Sequence, residues 1–111
     1  MDIKEFIQDW IDKSNTYDTE NYLKKWHKDA VLDDPSVGKI FKGHSGIKQY
    51  FESYFLDYST QTRLVKMEII SDHEVHLEVE FTGEFPEGKI GGIFEFILKD
   101  GKIDRAVADL L

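Results

Sequence analysis

Hydrophobic residues in the first part of the sequence recur three and four positions apart. They are Ile3, Phe6, Ile7, Trp10 and Ile11. This spacing places them on one face of an amphipathic helix, and Asp2 followed by Glu5 resembles a capping box at its start. The pattern therefore predicts a first helix that begins after Asp2.

Two more helices are predicted before residue 60. Asp18 or Thr19 can cap a short second helix, which we expect to end near His27. The apolar face of this helix is made of Tyr22, Leu23 and Trp26. The third helix follows Gly46, and its apolar positions are Ile47, Tyr50, Phe51, Tyr54 and Phe55.

Beyond residue 60 the hydrophobic period changes to two, which is typical of strands with one buried face. A first strand carries Val65, Met67 and Ile69 on one face, and the next carries Val75, Leu77, Val79 and Phe81. Two later strands are predicted over residues 90–99 and 102–111, joined by the hairpin signal Asp100-Gly101. Phe94 and Phe96 then face inward, as do Ala106 and Ala108.

An extended run also lies between the second and third helices, at residues 27–38. Pro35 keeps Asp34 out of the helical region, so Ala30, Leu32 and Asp34 share one face of this run. Helices that precede a group of antiparallel strands indicate an α+β fold. We expect three N-terminal helices packed on a curved, mainly antiparallel β-sheet.

The chain has 111 residues, 22 acidic and 14 basic side chains, and a net charge of -8. This length predicts a single domain over residues 1–111. The negative charge argues against nucleic acid and against anionic membranes as partners. The absence of cysteine excludes disulfides and cysteine-based metal sites, and a charged N-terminus without a long apolar run predicts a cytoplasmic location.

A cavity is predicted where the small residues of the last strand face the aromatic third helix, since small side chains opposite large ones leave room. The residues expected to line it are Trp10, Trp26, His27, Tyr50, Tyr54, Phe81, Phe94, Phe96 and Ala108. Tyr50 and Tyr54 lie one helical turn apart, so either hydroxyl can serve a ligand or Asp34. Each of these residues also has a purely structural interpretation, as part of the core.

Several motifs occur in an order that resembles the SnoaL-like branch of the nuclear transport factor 2-like superfamily. They are residues 29–35 (DAVLDDP), residues 41–47 (FKGHSGI), Tyr50-Phe51, residues 94–96 and residues 100–103 (DGKI). The resemblance implies a cone-shaped fold with a mostly apolar pocket for a small hydrophobic or polycyclic ligand. In the isomerase relatives an Asp before Pro in the same segment is the general base, and Asp34 matches it.

The remainder of that isomerase site does not carry over. Trp10 stands near the position of the relatives' oxyanion tyrosine, and Phe94 stands where they have a protonated carboxylic acid. The resemblance to the polyketide cyclases depends on Asp34 alone. The epoxide hydrolases need an Asp-Arg-Asp arrangement, for which neither Arg63 nor Arg105 is well placed.

Two interpretations of function remain open. Either the chain is an isomerase, polyketide cyclase or hydrolase that uses Asp34 as an acid or base, or it is a non-catalytic module for ligand binding or dimer assembly. No cofactor and no metal are expected, since His73 lies in a turn and His76 on a polar strand face. The relatives suggest a homodimer through the outer sheet face, to which we assign Asp109.

Overall fold

The computed structural model describes residues 1–111. Its helices are α1 (Ile3–Asn15), α2 (Thr19–Lys24) and α3 (Gly43–Phe51), and α3 continues into a π-helical turn (Glu52–Leu56). Its strands are β1 (Trp26–Asp34), β2 (Lys39–Lys42), β3 (Gln61–Ser71), β4 (Glu74–Thr82), β5 (Lys89–Lys99) and β6 (Lys102–Leu110). Helices packed against one curved, mixed sheet confirm the predicted α+β fold.

The first two helices begin at the predicted caps. The Asp2 carboxylate accepts a hydrogen bond from the Glu5 amide at 3.2 Å. The Asp18 carboxylate likewise caps α2. Trp26, however, is the first residue of β1 and not part of α2, because the Ile103 amide of β6 already donates to the Lys25 carbonyl oxygen at 2.9 Å. The chain therefore joins the sheet at Lys25, one residue before Trp26.

The strands form one six-stranded sheet in the order β2-β1-β6-β5-β4-β3. All neighbours are antiparallel except β1 and β6, which run parallel. The predicted turn between β5 and β6 is confirmed, and both Asp100 and Gly101 have positive φ angles, 52° and 74°. The short strand β2 was not predicted.

Two irregularities in strand pairing change which side chains face inward. In β3 the pairing shifts between Leu64 and Lys66, so Val65 is the extra residue and is 46% exposed. The inward assignment of Val65 is therefore wrong, and Leu64 packs against the core in its place. In β6 a similar shift next to Asp104 leaves Ile103 fully buried.

The hydrophobic core is built around the Trp10 ring of α1. This ring packs edge-on against Phe94 and Phe96 of β5, with centroids 5.0 and 5.1 Å away. Tyr22 stacks on Phe51 at 3.9 Å. The Trp10 Nε1, Tyr22 hydroxyl and Trp26 Nε1 atoms are buried without a hydrogen-bond partner. None of the helices combines the length and hydropathy that a membrane span requires.

Candidate functional site

A cavity of about 230 Å³ opens to solvent beside the π-helical turn, over the β4, β5 and β6 strands. Its wall is predominantly hydrophobic. The lining residues are Asp34, Ser36, Val37, Tyr50, Tyr54, Phe55, Tyr58, Thr60, Phe81, Phe85, Ile90, Ile93, Phe94, Ala108, Asp109 and Leu110. An apolar pocket with a few polar groups is the usual form of a small-molecule site.

Asp34 is the last residue of β1 and is 6% exposed. Its Oδ1 atom accepts a hydrogen bond from the Ser36 amide at 3.0 Å and another from the Ser36 hydroxyl. This contact to the residue two positions ahead is an Asx turn, which fixes the side-chain orientation. The other oxygen, Oδ2, has no donor in hydrogen-bond geometry, although the Val37 amide is near enough to lower the pKa of the carboxyl, so Oδ2 remains available to a ligand.

The environment of Asp34 favours its neutral form. Burial raises the pKa of the Asp34 carboxyl above its usual value, and the negative charge of Asp109 raises it further. The hydrogen bonds from Ser36 oppose this shift without cancelling it. A carboxyl group with a raised pKa is better suited to exchange protons near neutral pH than an ordinary aspartate.

Asp109 borders the same cavity from the end of β6. The sequence analysis assigned it to the outer sheet face, but it borders the cavity together with its cross-strand partner, Ile93 of β5. Asp33 of β1 pairs in parallel with Val107 of β6, so the ends of these two strands lie side by side. Asp109 Oδ1 accepts a hydrogen bond from the Leu110 amide at 2.8 Å. Asp34 and Asp109 therefore both border the cavity at the ends of neighbouring strands.

Three tyrosines, Tyr50, Tyr54 and Tyr58, line the cavity wall, and the first two pack together. The rings of Tyr50 and Tyr54 are 5.7 Å apart, and the Tyr50 ring is also 5.3 Å from Phe41. Burial, together with nearby Tyr22 and Asp34, raises the pKa of Tyr50 well above its usual value. Tyr50 therefore stays a neutral hydrogen-bond donor at physiological pH.

The rest of the cavity wall is largely aromatic. The Phe81 ring lies 5.8 Å from Phe55 and 6.0 Å from Phe94, both in edge-to-face geometry. Tyr58 and Phe85 pack together at 6.3 Å. Such edge-to-face contacts are a favourable arrangement of aromatic rings, so we expect this wall to hold its shape.

Six residues named from the sequence meet in this cavity. They are Asp34, Tyr50, Tyr54, Phe81, Phe94 and Ala108. Trp10, Trp26 and Phe96 were also expected there, but all three are fully buried in the core and fill the space further along the sheet. His27 is likewise outside the cavity, because it lies seven residues from Asp34 along β1, a span of about 20 Å.

Several lining residues were missed by the sequence analysis. Val37, Tyr58 and Phe85 lie in turns, where no hydrophobic period exists to show which way they face. Ser36 carried a usable signal, because Asp-Pro-Ser is a sequence in which an Asp side chain commonly binds the backbone two residues ahead. Asp109 was missed because no sequence signal shows that the end of β6 borders the cavity.

The two histidines of the β3–β4 region lie outside the cavity. His73 Nδ1 is 2.8 Å from Asp72 in the turn before β4. His76 Nε2 is 2.8 Å from Glu74 on the outer sheet face. Both histidines therefore contact neighbouring carboxylates in their own segment.

Comparison with solved structures supports the fold. A candidate polyketide cyclase from Sinorhizobium meliloti superposes with a TM-score of 0.84 at 20% identity, covering 94% of this chain and 93% of that one. The epoxide hydrolase/cyclase-like enzyme SalBIII, which has a role in pyran ring formation in the polyether salinomycin, superposes with a TM-score of 0.84 at 20% identity. The match covers 97% of this chain and 89% of that one. Similarity at this identity establishes a shared fold and not a shared activity.

A third solved structure is that of a Mycobacterium tuberculosis protein in complex with estradiol-17β-hemisuccinate. It superposes with a TM-score of 0.79 at 17% identity, covering 93% of this chain and 88% of that one. A search of curated proteins gives no match. The family model described as SnoaL-like domain matches residues 7–106. The chain therefore belongs to the SnoaL-like domain family.

Proposed function

We propose that the protein binds a small, mainly apolar molecule in this cavity and that Asp34 acts on it as a general acid or base. The observation that carries the proposal is that the Asp34 carboxylate is 6% exposed and lines the cavity with one unpartnered oxygen. A buried carboxyl group with a raised pKa in an apolar cavity is a recurrent feature of acid–base sites. The activities compatible with it are those of an isomerase, a cyclase or a hydrolase.

For a cyclisation, Asp34 can both remove and return the proton, so no second acid or base is needed. The ionised carboxylate removes a proton from the carbon next to a ligand carbonyl, which leaves an enolate. The enolate carbon attacks a second carbonyl of the same molecule, one carbon–carbon bond forms, and Asp34 returns the proton to the new alkoxide. The net result is an aldol product with the atoms of its substrate.

An enolate needs a hydrogen-bond donor, because stabilising the developing negative charge usually supplies the largest part of such catalysis. The relatives' donor positions carry Trp10, which is buried in the core, and Phe94, which has no polar atom. Tyr50 lines the cavity and is close enough to Asp34 for the carboxylate charge to contribute to its raised pKa, after burial. Tyr50 is therefore our candidate for binding the ligand oxygen.

The alternative is a non-catalytic ligand-binding module of the same fold. One observation favours it: Asp34 Oδ1 accepts two hydrogen bonds from Ser36 and so has a structural use in the turn after β1. On this interpretation the cavity still binds an apolar ligand, but Asp34 transfers no proton.

Proton transfer at carbon separates the two interpretations. The probe is 2-tetralone, a small ketone whose exchange of its α-hydrogens for deuterium in D₂O is followed by NMR. We expect the protein to accelerate this exchange and Asp34→Asn to reduce it by about 100-fold or more, the usual effect of a general base. Asparagine retains an oxygen for the Ser36 hydrogen bonds, so the turn is preserved.

Asp33→Asn is the matched control, because Asp33 is the exposed neighbour of Asp34 on the same strand. It makes the same change in net charge and should leave the exchange rate unchanged. Equal exchange rates for Asp34→Asn and the natural protein would overturn the acid–base role. Binding of 2-tetralone without acceleration would support the non-catalytic module.

We also propose that two copies associate through the outer face of the sheet. Ile97 and Val107 remain partly exposed there. Burying such a face against its symmetry mate is the common way in which a single chain forms a dimer. Light scattering should give twice the chain mass, and Val107→Asp should lower it to that of a monomer. A monomeric mass for the natural protein would overturn this proposal.

A further inference from the structure

The cavity contains two acidic side chains and no basic one. Asp34 and Asp109 are both in its wall, and no Lys, Arg or His lines it. Neither carboxylate takes part in any ion pair of the protein. Lys39 is the cross-strand partner of Asp34, yet it is exposed to solvent and outside the cavity wall. The fold therefore supplies no positive charge to balance these two acids.

This missing charge matters because Asp34 is nearly inaccessible to water. A largely buried carboxylate is normally paired with a cation or hydrogen-bonded through both oxygens, and here Oδ2 faces the open cavity without a protein donor. The nearby Asp109 charge disfavours ionisation of Asp34. This repulsion can be relieved in two ways: Asp34 can bind a proton, or the ligand can bring a positive charge into the cavity.

The remaining wall suits a cation with an apolar body. Seven aromatic rings line the cavity, namely those of Tyr50, Tyr54, Phe55, Tyr58, Phe81, Phe85 and Phe94. Aromatic rings attract ammonium groups through their negatively charged faces and also pack against hydrocarbon. One wall can therefore hold both parts of an amphipathic cation.

The size of the cavity restricts the ligand further. Pockets for drug-sized molecules are roughly 300–1,000 Å³. The cavity here, at about 230 Å³, is smaller. We expect a ligand whose apolar part is no larger than two fused rings.

We propose that the cavity selects a small ammonium compound with an apolar body, whose charge lies between Asp34 and Asp109, over neutral or anionic molecules of the same size. This inference rests on the proposed function only in requiring that a small molecule bind in the cavity. It specifies that the molecule is positively charged, and it holds for a binding module as well as for an enzyme.

Three probes of matched size test the proposal on the full chain by titration calorimetry: 2-phenylethylamine, 2-phenylethanol and phenylacetate. They are a cation, a neutral molecule and an anion near neutral pH, with almost the same shape. We expect the amine to bind at least about tenfold more tightly than the alcohol, and phenylacetate to bind most weakly.

Variants then locate the source of the preference. Asp109→Asn should reduce the amine-to-alcohol affinity ratio to near one, because the amine loses much more affinity than the alcohol does. Asp33→Asn removes the same charge from an exposed position and should keep the ratio, which controls for the net charge of the protein.

The outcomes are distinguishable. Equal binding of amine and alcohol would overturn the preference for a cation while leaving a ligand-binding cavity in place. An equal loss of preference in Asp33→Asn and Asp109→Asn would also overturn it, because the effect would then be that of net charge. Absence of binding by all three probes would contradict the proposed function itself.

Discussion

Asp34 and Asp109 border the same cavity although they are far apart in the sequence, and burial, with a smaller contribution from the charge of Asp109, raises the pKa of Asp34. Their strands, β1 and β6, are the two parallel neighbours in the sheet. The pairing of these strands places two acidic residues in an apolar wall without a basic side chain. The protonation of Asp34 therefore depends in part on the charge of Asp109.

Replacing Asp109 should change the titration of Asp34. Asp109→Asn removes the neighbouring negative charge, so we expect the pKa of Asp34 to fall toward the usual aspartate value. A pH titration of the Asp34 carboxyl by carbon-13 NMR measures it. Asp104→Asn, on the same strand but outside the cavity, serves as the control. An unchanged Asp34 titration in Asp109→Asn would show that the two groups do not interact.

Replacing Asp34 should stabilise the fold at neutral and higher pH. The folded-state pKa of Asp34 lies above its unfolded value, so the folded protein binds the proton more tightly. The corresponding stability is complete below the unfolded pKa and is lost as pH rises through the folded pKa. Asp34→Asn removes this loss, and we expect a higher free energy of unfolding at pH 8 than that of the natural protein.

Urea unfolding at pH 4 and pH 8 measures this effect. The difference between Asp34→Asn and the natural protein should be larger at pH 8 than at pH 4. Asp33→Asn should give nearly the same small difference at both values, because Asp33 is exposed. Destabilisation of Asp34→Asn at pH 8 would contradict the prediction and indicate that the ionised carboxylate is needed for folding.

Adding a single methyl group at Gly92, next to the Phe81 ring, should change ligand binding in the cavity. A Cβ atom on Gly92 would collide with the Phe81 ring, which lines the cavity. We expect Gly92→Ala to displace this ring, to weaken binding of 2-phenylethanol by about tenfold, and to lower stability by roughly 1–3 kcal/mol, the usual range for an overpacked site.

Gly91→Ala is the matched control for that variant. Its Cβ would meet only the flexible side chain of Leu111, at 3.1 Å from Cδ1. Calorimetry on both variants compares their affinities. Equal affinity of Gly92→Ala and Gly91→Ala would mean that Phe81 moves without affecting the cavity.

The hydroxyl group of Tyr22 should contribute little to stability. It is fully buried and makes no hydrogen bond, although the indole groups of Trp10 and Trp26 are nearby. Tyr22→Phe keeps the ring stacked on Phe51 and should change the free energy of unfolding by less than about 1 kcal/mol. Tyr22→Ala should lower it by about 3–5 kcal/mol, because a cavity is left in the core.

Denaturant unfolding of the two Tyr22 variants tests this difference. A loss of stability in Tyr22→Phe as large as that in Tyr22→Ala would show that the hydroxyl, and not the ring, holds this part of the core. The near-ultraviolet circular dichroism of Tyr22→Phe should retain the signal of the packed tryptophans.

The sequence predicted those parts of the fold that follow from a regular period or a local turn. The capping Asp2, the Asp100-Gly101 hairpin and the buried face of β4 all depend on neighbouring residues only. Trp26 was placed wrongly because its conformation is decided by pairing with Ile103, far away in sequence. Val65 was placed wrongly because strand pairing shifts at that residue, and a period of two does not show such a shift.

The difference between local signals and long-range strand pairing also explains why the candidate site was predicted only in part. Asp34 could be found because Pro35 and the family motif both concern its immediate neighbours. Asp109 could not, since its position in the cavity depends on which strand lies beside β6 and on the curvature of the sheet. Trp10 and Trp26 matched the aromatic character of a pocket wall, but aromatic side chains fill cores and line cavities equally well.

The parallel pairing of β1 with β6 has a consequence for folding. Every other pair of neighbouring strands in the sheet is antiparallel. β1 has one partner close by in the sequence, β2, but its second partner, β6, is the last strand of the chain. Such a long-range pairing closes a large loop and tends to form late. Ligand binding at Asp34 and Asp109 would then appear only in the final step of refolding, so that a bound probe reports completion of the whole sheet.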